Sequence, residues 1–260
     1  MTERELIEVF EDTRKSSIIA FGDDTEQLVN NTEVIEEPLE FECEPNRDDC
    51  GIGVIESDTI SAIIKYSSLG YNVCALNFAD GMQPGGLVRY GARTQEECIC
   101  RCSNLYQSLD SDESLNKYYN YNRSIYSSRG MTFSDRIIYS PRVTVFKDAQ
   151  YNIINSVHCD ILSCPAPVNK NQENYYKIVE NRIRGMLKVM SYKSNDVIIL
   201  GAWGCGAYGG NPTTVGSAFA KVLSEIHSFK KVVFAIPRNG DNLYKFREVF
   251  KKVLEEDLKD

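Results

Sequence analysis

Histidine is almost missing from this 260-residue chain, which has only His158 and His227. Neither has a serine or cysteine motif partner, which argues against a catalytic triad. The nine cysteines are odd in number and contain no C-x-x-C pair, so they indicate neither a zinc ribbon nor a fully paired disulfide framework. Basic charge is short as well. Against 37 Asp and Glu stand 29 Lys and Arg, for a formal net charge of -8. An acidic chain without a basic stripe does not coat nucleic acid or an anionic bilayer, and no direct nucleic-acid or membrane partner is expected. Long apolar runs are missing too. The stretch 197–203 is far too short to cross a bilayer. The opening MTERELIEVFEDTRK is charged from its third residue, unlike a secretory signal. These gaps together predict a cytoplasmic protein with reduced thiols; a monomer is expected.

What remains is an ordinary globular composition, 42% hydrophobic and 25% charged. Leu6, Val9 and Phe10 recur at helical period and predict a helix over 3–15. Residues 22–51 read as acidic and irregular, with an alternating stretch near 32–41 that suggests a strand. We therefore expect an N-terminal extension, 1–51, packed on a core of 52–260. Within the core, strands are predicted at 53–56, 72–78, 136–140, 143–146, 157–164, 196–202 and 231–236. Helices are predicted at 58–68, 94–109, 172–191, 213–228 and 242–257. Such alternation predicts an α/β fold with a parallel or mixed sheet. Residues 103–131, rich in Ser, Asn and Tyr, read as one long ordered loop, either a lid or a packed excursion.

Two segments carry chemistry, and each leaves a predicted strand and enters a predicted helix. The first is 77–97, NFADGMQPGGLVRYGARTQEE. Its paired glycines let backbone approach a ligand closely, and Glu96 and Glu97 fall in the first turn of the helix. Thr94-x-x-Glu97 is equally the pattern of a capping box, so a purely structural role for Glu97 stands beside a catalytic one. The second is 201–212, GAWGCGAYGGNP. A strand, a glycine loop and a helix N-terminus make a phosphate cradle, although glycine loops also serve as plain turns. The Gly-Lys-Ser/Thr ending of a Walker A loop is missing. Arg89, Arg93 and Arg101 read equally as phosphate ligands or solvated charges. Cys98, Cys100 and Cys102 cannot all face one metal from a helix and read as structural thiols. Cys205, inside the second segment, reads as a small residue or a reactive one.

These residues resemble the microbial-type poly(ADP-ribose) glycohydrolases of the macrodomain superfamily. The signature of that family is a glycine triplet, a short spacer and Gln-Glu-Glu. Here it reads Gly85-Gly86-Leu87, seven residues, then Gln95-Glu96-Glu97. Asn77-Phe78-Ala79 with Pro84, the block 139–146, and 201–209 resemble further family blocks, in the family's order, across 52–260. The resemblance implies a macrodomain-like three-layer α/β/α sandwich with a mixed central sheet and an N-terminal helical extension. It implies that Glu97 is catalytic and that Glu96 holds ribose hydroxyls. Asn77, Gly85 and Gly86, with Leu87 and Gln95 beside them, would line the distal ribose. Gly204, Cys205, Gly206, Ala207 and Gly209 would wrap the diphosphate, and Tyr208 would pack on the ribose. The substrate would be ADP-ribose on polymer or protein, cleaved without metal or cofactor. A neighbouring carboxylate and burial would raise the pKa of Glu97 and the helix dipole would lower it, and the sequence leaves that balance open. One departure stands out, because the third signature position is Leu87. Leucine takes positive φ only at a cost, so the expectation is a preference for single ADP-ribosyl groups over long polymer. A non-catalytic ADP-ribose reader is the other alternative.

Overall fold

The computed structural model describes residues 1–168 and 173–256. Thr2 starts the first helix, α1 (Glu3–Ile19). Its hydroxyl accepts the Glu5 N–H while the Glu5 carboxylate accepts the Thr2 N–H, a reciprocal capping box. A second helix, α2 (Gly22–Asn31), leads to a three-residue strand, β1 (Glu33–Ile35). Then follow β2 (Gly51–Glu56), α3 (Thr59–Ser68), capped by Asp58, and β3 (Val73–Asn77). The next stretch is helical in short pieces: α4 (Gln95–Cys102), α5 (Leu105–Leu109), α6 (Asp112–Ser114), a π-helical turn at Leu115–Tyr119, α7 (Asn120–Ser124) and α8 (Tyr126–Arg129). Two long strands, β4 (Ile137–Lys147) and β5 (Ile153–Ser163), precede α9 (Tyr175–Tyr192). The chain closes with β6 (Val197–Leu200), α10 (Pro212–Glu225), β7 (Lys231–Ile236) and α11 (Asn242–Glu256).

Among the described residues, the seven strands form one sheet in the order β1-β4-β5-β3-β6-β7-β2. The pairs β1–β4 and β4–β5 are antiparallel, and every other pair is parallel. The sheet is thus mixed, and its parallel half is covered on both faces, as the βαβ logic requires. Side chains of β3 divide by the period of two. Cys74 and Leu76 enter one apolar cluster, with Phe219, Phe234 and Met186 from or beneath α10, β7 and α9. Val73 and Ala75 enter the other, with Phe10 of α1, Ile63 of α3 and Ile99 of α4. Two cores around one sheet make the three layers of an α/β/α sandwich.

Local differences from the sequence reading have identifiable causes. The two segments expected at 136–140 and 143–146 are one strand. Its register shifts between Ser140 and Val143, where Pro141 has no N–H to give the ladder and Arg142 takes φ 53°. The helix expected over 94–109 breaks at Ser103, whose extended backbone (φ -149°, ψ 175°) pairs with Val145 of β4. Helix α2 was hidden because only Thr25 and Leu28 are buried along it, too few to show a period. The loop expected at 103–131 is the run of short helices. Gln172 and Asp257, the outer ends of two expected helices, lie outside the described residues.

Candidate active site

Both glycine segments emerge at the carboxyl end of the parallel strands, where open α/β sheets bind ligands. Asn77 ends β3, Ser163 ends β5 in register with it, and β6 is the neighbour on the other side. Gln95 ties the first segment down. Its amide nitrogen donates to the Leu76 carbonyl (2.7 Å) and the Thr59 hydroxyl (3.1 Å), and its amide oxygen accepts the Phe78 N–H (2.8 Å). The first turn of α4 is thereby fastened to the end of β3, which aims Glu96 and Glu97 back under the glycine turn.

Both carboxylates are almost fully buried, with Glu96 at 2% and Glu97 at 4% exposure. Glu96 accepts from the Asn77 amide (3.1 Å) and from the Asp80 N–H (2.8 Å). Glu97 accepts from the Leu87 N–H (3.0 Å) and from the Thr94 hydroxyl. The capping-box geometry is not formed, since the Thr94 side chain makes no bond to the helix backbone. The hydroxyl that would cap the helix turns to the Glu97 carboxylate instead. Burial pushes Glu96 well above the usual carboxylate range. The negative charges of Asp80 and Glu97 push the same way, against the Asp80 N–H and the Asn77 amide. Desolvation raises Asp80 too. Asn77 spends its nitrogen on Glu96 and on the Ser163 hydroxyl (3.0 Å), while its fully buried oxygen has no partner among the described residues.

Gly85 and Gly86 have φ of 66° and 57°. A Cβ on Gly86 would sit 2.7 Å from a Glu97 carboxylate oxygen and 3.0 Å from one of Glu96. Glycine is needed here for backbone shape and for space. Leu87 is different. Its φ is -99°, which any residue adopts, and its side chain stands 46% exposed. The expectation that leucine must strain this turn is overturned, because the left-handed conformation falls on the two preceding residues only.

The second loop joins β6 to α10, which Asn211 caps by accepting the Thr213 and Thr214 N–H groups. Gly204 and Gly209 have φ of 74° and 71°. Internal bonds take the N–H groups of Cys205, Gly209 and Gly210. The N–H groups of Gly206, Ala207 and Tyr208 find no acceptor among the described residues, and Gly206 and Ala207 are exposed. Three consecutive open amides suit an anion. Tyr208 is half-buried, and its phenol is raised first by desolvation and then by the charges of Asp80, Glu96 and Glu97. The two loops therefore share one electrostatic environment. Burial pushes the Cys205 thiol up to about 12, which removes it as a nucleophile at neutral pH.

The remaining candidates settle into structure. Arg101 is fully buried and donates to the carbonyls of Leu6 and Ala92. Arg89 bonds the Tyr106 hydroxyl and lies 3.7 Å from Asp110. Arg93 reaches the Met1 carbonyl. Cys100 and Cys102 are buried, and Cys98 lies 3.7 Å from the Tyr151 hydroxyl. His158 and His227 sit beside Thr144 and the Leu223 carbonyl. Sequence reasoning missed Asp80, Ser163, Tyr106 and Phe133. Asp80 carried a signal, being the first acidic residue after a strand that ends in Asn77; the others carried none.

A family model for the catalytic domain of microbial-type PARG matches residues 5–148, and the chain belongs to that family. Among solved structures it resembles the poly(ADP-ribose) glycohydrolase of Thermomonospora curvata at 25% identity and a TM-score of 0.83, covering 96% of this chain and 99% of that one. The same enzyme bound to the inhibitor ADP-HPD matches at 25% identity and a TM-score of 0.81, with the same coverage. The poly(ADP-ribose) glycohydrolase of Deinococcus radiodurans in complex with ADP-ribose matches at 27% identity and a TM-score of 0.78, covering 88% of this chain and 97% of that one. No curated protein matches the sequence. No helix among the described residues is long and apolar enough to cross a membrane.

Proposed function

We propose that this protein is a poly(ADP-ribose) glycohydrolase that releases ADP-ribose by glutamate acid–base chemistry. The observation that carries the reading is the seating of two buried carboxylates against the Gly86 turn, on strand ends next to a loop with three open amides. Solved relatives of this fold bind ADP-ribose and ADP-HPD. The open amides of Gly206, Ala207 and Tyr208, with Gly204, Cys205 and Gly209 shaping their turn, receive the diphosphate. Asn77, Glu96 and the Gly85-Gly86 turn receive the distal ribose, with the Tyr208 ring over it. Gln95 serves by holding α4 to β3, and Leu87 by giving its N–H to Glu97.

Glycosidic cleavage needs a proton on the departing oxygen and stabilisation of an oxocarbenium-like centre. Glu97 donates that proton and then takes one from the attacking water. Its carboxylate already accepts from Leu87 and Thr94, which fixes its orientation before substrate arrives. Glu96, whose proton burial holds above the usual carboxylate range, bonds the ribose hydroxyls. The diphosphate of the substrate offsets positive charge developing on the ribose, so no metal enters the scheme. We place the protein in the cytoplasm as a monomer; its nine unpaired cysteines support a reducing compartment.

Polymer is the favoured substrate over a single ADP-ribosyl group on a protein side chain, since Leu87 neither strains the turn nor turns inward. The test is incubation of the protein with poly- and mono-ADP-ribosylated protein, with free ADP-ribose measured over time. Release from polymer is expected. Release only from the mono-modified protein would make this a mono-ADP-ribosyl hydrolase, and binding without release would make it a reader.

A further inference from the structure

Phe133 lies outside every motif of the sequence, yet its backbone is the most unusual of any non-glycine residue near the site. It has φ 59° and ψ -177°, a region that essentially only glycine occupies without strain. Its side chain is 1% exposed, but it belongs to neither apolar core. Its neighbours are the site loops. The ring lies against Gly81, where an added Cβ would come within 2.4 Å of Cδ1 and 2.7 Å of Cγ and Cε1. It also faces the Tyr208 ring at 6.3 Å between centroids. Gly81 directly follows Asp80, whose N–H holds Glu96. The ring thus touches the ribose side and the diphosphate side at once.

The strained backbone is held from both flanks. Arg182 of α9 is 2% exposed. Its Nη1 donates to the Thr132 carbonyl (3.0 Å), and its Nε and Nη2 donate to one Asp135 carboxylate oxygen (2.9 and 2.8 Å). The same Nη1 reaches the Pro165 carbonyl (2.9 Å), in the segment where Ala166 packs under Gly204. Asn122 accepts the Ser134 N–H (2.8 Å). A planar guanidinium can serve three oxygens of fixed direction, which an ammonium on a flexible stem cannot do equally. Strain of this kind persists only where surroundings over-determine it, and it gathers at ligand sites.

We propose that Phe133, held by Arg182, is a positioning residue that sets the gap between the Gly81 turn and the Tyr208 ring, and so the width of the slot for the distal ribose. This rests on the reading of the site as an ADP-ribose site, so wild-type binding of ADP-ribose is measured first. Phe133→Leu keeps bulk and burial but loses the flat face. It is expected to weaken ADP-ribose binding about tenfold, the scale of one aromatic contact with its packing. The loss should shrink to within about twofold in a Tyr208→Ala background, as coupled neighbours behave in a double-mutant cycle. Gly81→Ala presses on the ring from its other contact and should reproduce the loss, with wild-type hydrogen-exchange protection in β3 and β6. Arg182→Lys should do the same and add nothing to Phe133→Leu. Equal losses in both Tyr208 backgrounds, or unchanged affinity in Phe133→Leu and Gly81→Ala, would overturn the proposal. A wild type that binds no ADP-ribose would overturn the site reading and this proposal with it.

Discussion

Replacing Glu97 by glutamine isolates the proton. The structure shows how the amide fits. The carboxylate oxygen that accepts the Leu87 N–H (3.0 Å) becomes the amide oxygen, and the other position becomes an NH2 group facing the Thr94 hydroxyl, which can accept as readily as donate. No buried group is orphaned, so stability should stay within roughly 0.5 kcal/mol of wild type. ADP-ribose affinity should stay within about twofold, because a uniform binding contact is kept. Only the titrating proton is lost. A positioned acid–base group is worth ~10²–10⁴-fold, or about 2.7–5.5 kcal/mol of barrier, and the loss should fall on kcat. Single-turnover release of ADP-ribose from polymer, beside calorimetric titration with ADP-ribose, reads both quantities. If Glu97→Gln keeps most of the wild-type turnover, Glu97 only braces the Gly86 turn and the mechanism fails.

Gly86→Ala should reduce hydrolysis by about 100-fold, the scale of a misplacement near 1 Å, because its Cβ would press on Glu97 and Glu96 at 2.7 and 3.0 Å; turnover near wild type would show that the turn has room. Leu87→Gly should leave polymer hydrolysis within about twofold, since φ is already -99° and the side chain faces outward; a large gain would restore the leucine as a specificity element. Glu96 holds its proton to higher pH when folded than when unfolded, so its stabilising contribution is complete below its ordinary 4.5 and is lost as pH rises through the raised value. The melting temperature of Glu96→Gln relative to wild type should therefore climb as pH rises above the ordinary carboxylate range, and a flat difference in thermal scans would contradict the raised value.

The parallel half of the sheet was legible because each of its strands is a short apolar run bounded by a helix. For 231–236 the expected and observed strand coincide as β7, and β3 and β6 fall inside their expected ranges. That Gly85, Gly86, Glu96 and Glu97 meet was legible because spacing places glycines and carboxylates on either side of one strand-to-helix turn. Which residue needs glycine was not, since φ is a property of the closed turn, and Leu87 was misread for that reason. Phe133 was invisible because a phenylalanine in a turn carries no pattern, and its conformation is imposed by Arg182 from about fifty positions away in sequence. The break of the expected 94–109 helix was equally hidden, as Ser103 leaves the helix to pair with β4.

Residues 1–51 were expected to pack on the core, and the back of the glycine turn rests on their first helix. A Cβ on Gly91, φ 77°, would come within 2.5 Å of the Glu3 carbonyl oxygen, so α1 lies directly on the turn that links Gly86 to Thr94. Arg101 reaches from α4 to carbonyls on both sides of that contact, Leu6 in α1 and Ala92 in the turn, while Thr13 returns a bond to the Arg101 carbonyl (2.7 Å). Phe10 packs edge-on against Tyr106, with ring centroids 5.0 Å apart. The same Tyr106 ring stands 3.0 Å from where a Cβ of Gly85 would be, and its hydroxyl binds Arg89. Gly85, Arg89, Gly91 and Ala92 thus each meet α1 directly or through one side chain. A turn with two left-handed glycines has little stiffness of its own, and a carboxylic acid that must meet a glycosidic oxygen within hydrogen-bond reach cannot sit on a loose one. The stiffness is supplied from behind by the first helix of the chain, so under the proposed mechanism α1 helps to hold Glu97 in place.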